Sequence, residues 1–200
     1  MKNKRFALKL FFFALLLTPF SSLWAGEPGE LVMKYVKNGI AILEDETLKG
    51  DDKGCERKEK LWAELSPIFN FKEMSQRALG QYWQKLNAEE RNEFTRLFTS
   101  ILRNTYLGET GSYSAKEVVL LKEKEKGKYS IVQTNFILNT GKEAAVEFRL
   151  KSNDGNWKIY DVIIEGVSLV NNYRSQFSSI LVKSPYSELV KMLKEKIAER

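Results

Sequence analysis

Two hydrophobic periods alternate along this chain, and the points where one gives way to the other mark its organisation. Beyond Pro28 the apolar residues Val32, Val36, Ile40 and Leu43 recur at the spacing of one helical face. Pro28 suits a first helical turn, where its missing N–H costs no hydrogen bond. Gly50 to Gly54 interrupts the pattern, and Leu61, Trp62, Leu65, Ile68 and Phe69 resume it, with Pro67 predicting a bend or stop. Asn70 with Glu73, and Asn87 with Glu90, have the spacing of an N-cap and its reciprocal glutamate, so helices are predicted to start near Phe71 and Ala88. Along the second of these, Phe94, Leu97, Phe98, Ile101, Leu102 and Tyr106 form one broad apolar side before Gly108 ends it.

After Gly111 the period shortens. Glu117 to Leu121, Tyr129 to Leu138, Ala144 to Leu150 and Trp157 to Ile164 read as strands, separated by short glycine-bearing gaps that favour hairpins. The prediction is a four-stranded antiparallel meander. Ala144, Val146, Phe148 and Leu150 alternate with Glu147 and Arg149, whereas Trp157 to Tyr160 and Val162 to Ile164 are apolar on both sides, so the last strand should be covered on both faces. Helical spacing returns with Val170, Tyr173, Phe177, Ile180 and Leu181, stops near Ser184-Pro185, and resumes with Leu189, Met192, Leu193 and Ile197. No repeat or linker divides residues 26–200, so the expectation is one α+β domain.

Residues 1–25 stand apart. Lys2, Lys4 and Arg5 precede an apolar run from Leu10 to Leu17, followed by Pro19 and Leu23-Trp24-Ala25, the pattern of a secretory signal cleaved after Ala25. An uncleaved anchor is the alternative, against which stands a run shorter than the roughly 20 residues a bilayer span needs. No cysteine at the cleavage site offers a lipoprotein anchor. Cleavage changes the charge balance. The chain carries 32 basic and 26 acidic residues, and four of the basic ones leave with residues 1–25, so the remainder stands at 28 against 26, or +2. The basic excess that would suggest nucleic acid is largely removed.

Cys55 is the only cysteine and histidine is absent, which removes internal disulfides, histidine triads and histidine metal sites together. Stability must then come from an apolar core, for which about 175 residues suffice. Large apolar side chains are plentiful, among them Trp62, Trp83, Phe98, Tyr106, Phe136, Phe148, Trp157 and Phe177. They either fill that core or line a cavity.

Two stretches resemble a known family. Phe69 to Met74 with Ala78-Leu79-Gly80-Gln81-Tyr82-Trp83, and then Phe94, Phe98, Leu102 and Tyr106, are similar to the helical signature of the MlaC, or toluene-tolerance, family of auxiliary proteins to ABC-type lipid transporters. Tyr160 to Phe177 matches that family's second, more diagnostic stretch, and the resemblance runs from about Leu31 to Leu193. Asn70 stands where the family more often has aspartate, which preserves an N-cap. The charged segment Asp51 to Lys60 has no counterpart.

The resemblance implies a curved antiparallel sheet packed with N- and C-terminal helices around an apolar pocket that holds the acyl chains of a phospholipid. It implies a periplasmic carrier, expected to be a monomer, that moves lipid between an inner-membrane MlaFEDB-type transporter and an outer-membrane MlaA-type lipoprotein with porin, and so maintains outer-membrane lipid asymmetry. No cofactor, metal or nucleic acid is implied beyond the lipid cargo. The expected lining is Phe98, Leu102, Val132, Phe136, Val146, Phe148, Val162, Ile164 and Phe177, with Tyr173 and Arg174 toward the head group. Arg174 either meets a lipid phosphate or pairs with Asp161 to close the last strand onto the following helix. Two other classes stay open: an isomerase- or dehydratase-like enzyme using Asp161 with Tyr160 or Tyr173, and an adaptor with no ligand. Adjacent residues on a strand point to opposite faces, which weakens the Tyr160 and Asp161 pairing.

Overall fold

The computed structural model describes residues 27–107 and 115–199. The expected signal segment 1–25 and the expected stop residue Gly108 lie outside the described residues. Helix α1 spans Glu27–Glu44 and buries Pro28, Gly29, Val32 and Gly39. Two 3-10 turns, Glu46–Leu48 and Asp51–Lys53, lead into α2, Gly54–Leu65. The charged segment without a counterpart in the resemblance is therefore the second of these turns and the first half of α2. Pro67 sits in a further 3-10 turn, Ser66–Ile68, that ends α2 as its missing N–H requires.

Helix α3 spans Phe71–Leu79 and α4 spans Ala88–Leu107, starting where the asparagine caps predicted. At α4 the capping box is complete: Glu90 N–H donates to Asn87 Oδ1 at 2.9 Å, and Asn87 N–H donates to Glu90 Oε2 at 2.8 Å. At α3 it is half made. Asn70 Oδ1 accepts from Glu73 N–H at 3.0 Å, but the N–H of Asn70 is taken by the carbonyl of Ile159 at 2.8 Å, which frees the Glu73 carboxylate for Arg77 and Lys151.

The sheet is a meander of five strands in sequential order: β1 Ala115–Lys126, β2 Tyr129–Leu138, β3 Glu143–Asn153, β4 Asn156–Ile164 and β5 Val167–Ser168. It has one strand more than expected. The fifth is a two-residue return that covers the end of β4, pairing Ile163 with Ser168 and Ile164 with Val167. Further back, Phe69 bridges to Ile159, so the outer edge of β4 is covered twice. The other edge, β1, runs five residues beyond its expected end, into the charged segment Lys122 to Lys126.

Register shifts break the ladder within β1 between Ala115 and Glu117 and between Leu120 and Lys122, and between Arg149 and Leu150 of β3 opposite Tyr160. Each inserts one residue and adds local bend and twist, which is how a short sheet acquires curvature.

Helices α5, Leu169–Leu181, and α6, Tyr186–Ala198, close the chain. Buried side chains form two cores. One is wholly helical: Met74, Ala78, Leu79, Trp83, Phe94, Phe98, Tyr173, Phe177, Leu189 and Leu193 are among its members. The other joins one face of the sheet to α1 through Val32, Ile68, Val132, Phe148, Leu150, Trp157, Ile159 and Val162. Phe69 packs against both, while Leu169 packs against the second and its neighbour Val170 belongs to the first.

Candidate functional site

The face of the sheet turned toward α1 carries the candidate site. Pairing places Ser130 opposite Leu150, Val132 opposite Phe148, Thr134 opposite Val146 and Phe136 opposite Ala144. Ile159, Val162 and Ile164 continue these rows on β4. The extra residue Tyr160 is what brings both Ile159 and Val162 to this face, despite a spacing of three.

Burial along this face is graded. On β2, Ser130, Val132 and Thr134 are buried, and Phe136 and Leu138 are half-buried. On β3, Leu150 and Phe148 are buried, and Val146 and Ala144 are half-buried. On β4, Ile159 and Val162 are buried, and Ile164 is 36% exposed. All three strands therefore open at the same end, that of Leu138, Ala144 and Ile164. The opposite end is sealed by Trp157, Ile68 and Val32. On β2 to β4 the middle rows hold one polar side chain, Thr134, whose hydroxyl donates to the carbonyl of Val146 at 2.9 Å; in the adjoining buried row the Ser130 hydroxyl has no partner among the described residues, and on β1 Glu123 stands opposite Val132.

The expected lining divides between the two cores. Val132, Phe136, Val146, Phe148 and Val162 come together over this face, with Ile164 at its rim. Phe98, Leu102, Tyr173 and Phe177 belong to the helical core instead. There Phe98 meets Tyr173 and Phe177 edge to face, with ring centroids 5.0 and 5.5 Å apart, and Phe94 meets Phe177 at 5.5 Å. Such interlocking rings are a packed interior. Residues not expected at the site also pack here: Leu31, Val32, Tyr35 and Val36 of α1 and Leu169 of α5 against the sheet, and Leu120 on β1 beside Thr134. Their signal was the helical spacing of Val32 and Val36, read only as an amphipathic face.

Tyr173 and Arg174 point different ways. Tyr173 is buried, whereas Arg174 is exposed on the flank of α5 against Gly80. Tyr106, at the last turn of α4, has its hydroxyl pushed up to about 12 by burial and by the neighbouring Tyr173.

The expected Asp161 and Arg174 pair is not made, and Asp161 closes the strand-to-helix junction by another route. Its buried carboxylate accepts from Ser168 Oγ at 2.7 Å and from the N–H of Val170 at 3.1 Å, while Ser168 Oγ caps α5 by accepting from Asn171 N–H at 3.0 Å. A carboxylate is favoured at the positive end of a helix. Both of its oxygens are engaged. Tyr160 lies under the guanidinium of Arg77, 4.0 Å from its ring centroid, and burial raises its hydroxyl above the usual phenol range. The outer face is polar: Gln133 Nε2 and Arg149 Nε donate to the Glu147 carboxylate at 2.9 and 3.0 Å.

A family model described as MlaC protein matches residues 34–195, most of the chain. The chain belongs to the MlaC family. Among curated relatives, it is 24% identical over 141 residues to the intermembrane phospholipid transport system binding protein MlaC of Haemophilus influenzae, covering 68% of this chain and 66% of that protein. The match thus spans just under two thirds of that relative. Among solved structures, the fold is similar to that of a phospholipid-binding protein from Ralstonia solanacearum in complex with a phospholipid, with a TM-score of 0.77, 24% identity, and coverage of 87% of this chain and 98% of the other. The α+β architecture with a curved antiparallel sheet is thereby a fold that the MlaC family member and this neighbour share. Among the described residues no group of three or more metal-ligating side chains occurs, and no helix is long and apolar enough to cross a membrane.

Proposed function

We propose that this chain is a periplasmic phospholipid carrier, exported by a signal removed after Ala25, whose cargo tails insert between the graded face of the sheet and α1. The observation that carries this reading is the one-ended burial gradient, from Leu150 and Val132 at the sealed end to Ile164 at the open one. Membership of the MlaC family and the fold shared with a lipid-bound neighbour support it.

The energetics favour a chamber of this kind. Each buried methylene contributes about 0.8 kcal/mol, so two acyl chains leaving a bilayer need a deep apolar surface. The affinity must nearly balance that of the membrane for exchange to proceed. A largely apolar face, on which the Thr134 hydroxyl is bonded to the Val146 carbonyl and the Ser130 hydroxyl lies buried at the sealed end, meets both demands. In this reading cargo passes between an inner-membrane MlaFEDB-type transporter and an outer-membrane MlaA-type lipoprotein with porin, maintaining outer-membrane asymmetry. The protein performs no covalent chemistry: the oxygens of Asp161 are held by Ser168 and Val170, which speaks against the isomerase-like alternative.

Native mass spectrometry with lipid extraction tests the proposal on protein purified without detergent. One phospholipid adduct per chain is expected. Folded protein that carries no lipid and takes none from vesicles overturns it and leaves the adaptor reading.

A further inference from the structure

A second surface feature lies on the flank of α5, on side chains that the cargo face does not use. Arg174, Ser175, Ser178, Ser179, Val182 and Lys183 line an open concavity of about 460 Å3. Its polar side chains are a guanidinium, an ammonium and three hydroxyls. The Arg174 guanidinium and the Lys183 ammonium form no hydrogen bond or ion pair with the described residues, and the hydroxyls of Ser178 and Ser179 are likewise unengaged. Ser175 Oγ donates to the Asn171 carbonyl at 3.1 Å, so its hydrogen is already used and it is not counted among the donors.

The surrounding sequence has the same bias. From Gly166 to Ser187 there is no aspartate or glutamate, and Arg174 and Lys183 are the only charged residues, in a chain that is 29% charged overall. The guanidinium rests against the end of α3. Gly80 has no side chain, and Arg174 occupies the space left, its Nε 3.0 Å from where a Cβ would stand. A planar guanidinium offers an oxyanion two parallel donors. At the rim Val182 is 73% exposed, an apolar neighbour for an ester rather than for a bare ion.

We propose that this concavity is a phosphate-binding site, with Arg174 and Lys183 supplying charge and Ser178 and Ser179 the neutral donors. The phosphate is either free in solution or the head group of a phospholipid presented from outside the protein. The site is distinct from the cargo face, because α5 turns Tyr173 and Phe177 into the helical core and Arg174 out of it.

The test uses the purified full-length mature chain. Inorganic phosphate, titrated against chloride at matched ionic strength, should shift the Arg174 Nε–H and the backbone amides of Ser178 and Ser179 in nitrogen-15 NMR spectra. Phosphatidylglycerol vesicles, compared with phosphatidylcholine vesicles, should retain the protein in flotation if head groups are the source; response to free phosphate without retention assigns the site to soluble phosphates. In either arm the double variant Arg174→Gln, Lys183→Gln should lose about tenfold in affinity, and Ser178→Ala, Ser179→Ala should lose less. Absence of response in both arms, or a response that the Arg174 and Lys183 variant leaves unchanged, overturns the site. Mass spectrometry of co-purified lipid on the same sample separates that outcome from failure of the carrier reading: lipid present with no phosphate response removes this inference alone.

Discussion

The guanidinium of Arg174 lies across Gly80, with its Nε 3.0 Å from the point a Cβ on that glycine would occupy. This contact joins the two stretches that carry the family resemblance, Ala78 to Trp83 and Tyr160 to Phe177, through residues 94 positions apart in sequence. It also separates two reasons for the glycine. Gly80 ends α3 at φ 56°, ψ −126°, a conformation that resists any side chain, and it leaves room for the arginine.

The first reason should dominate. Gly80→Ala forces an L-residue into that conformation, at a cost of about 1–3 kcal/mol, whereas the arginine end is flexible and can swing aside. Chemical denaturation should therefore show nearly the same loss for Gly80→Ala in the wild-type and Arg174→Ala backgrounds. Full recovery in the Arg174→Ala background would show that the clash was the whole effect.

Asp161 should matter more to stability than its neighbour in the network. Asp161→Ala leaves the buried Val170 N–H without its acceptor, at about 1–3 kcal/mol, and also removes the partner of the half-buried Ser168 hydroxyl. Ser168→Ala removes an N-cap worth about 1 kcal/mol and one of two bonds to Asp161. Urea midpoints should rank wild type above Ser168→Ala and that above Asp161→Ala.

The two cores predict opposite mutant behaviour. Phe98→Ala opens a hole among interlocked rings and should cost about 3–5 kcal/mol, with co-purified lipid retained in the fraction that folds. Phe136→Arg places a charge at the half-buried row near the open end and should abolish lipid content while leaving the thermal midpoint close to wild type. Measuring lipid content and melting on both variants checks this; loss of lipid in folded Phe98→Ala would move the cargo into the helical core.

Glu73 ties α3 to the sheet through Lys151 of β3 at 2.9 Å, and also pairs with Arg77 one turn on in its own helix at 2.8 Å. Burial works to raise its pKa, but the hydrogen bonds from Lys151 and Arg77 outweigh it and hold the carboxyl below its ordinary value of 4.5. A native value below the unfolded one means that the stabilisation is present above the unfolded value and is lost as pH falls through the native one. Stability measured from neutrality downward should thus fall at acid pH in the wild type, and Glu73→Gln should flatten that fall.

Much of the fold was legible because it rests on local signals. Asn70 and Asn87 announce helices at Phe71 and Ala88 through caps that need nothing distant. What escaped depends on partners far along the chain. The Glu73 half of the first capping box fails because the Ile159 carbonyl takes the Asn70 N–H. The fifth strand is too short to carry a period, and it exists only because β4 offers an edge. Half of β1 was hidden because Lys122 to Lys126 is polar on both faces. The candidate site divides the same way: alternation placed Val132, Phe136, Val146 and Phe148 on one face, but an apolar stripe such as Phe98 and Phe177 does not say which of two cores it enters.

The margin of the sheet has its own consequence. A long terminal strand with unpaired amides invites any extended chain to add itself, and another copy of this protein is as suitable as a stranger. Along β1 the residues from Lys122 to Lys126 alternate lysine and glutamate, so a second copy aligned there would have to bring like charges together in one of its registers and strip water from all of them. That part of the strand works as a fence, since pairing along it costs the hydration of five charged side chains in every register.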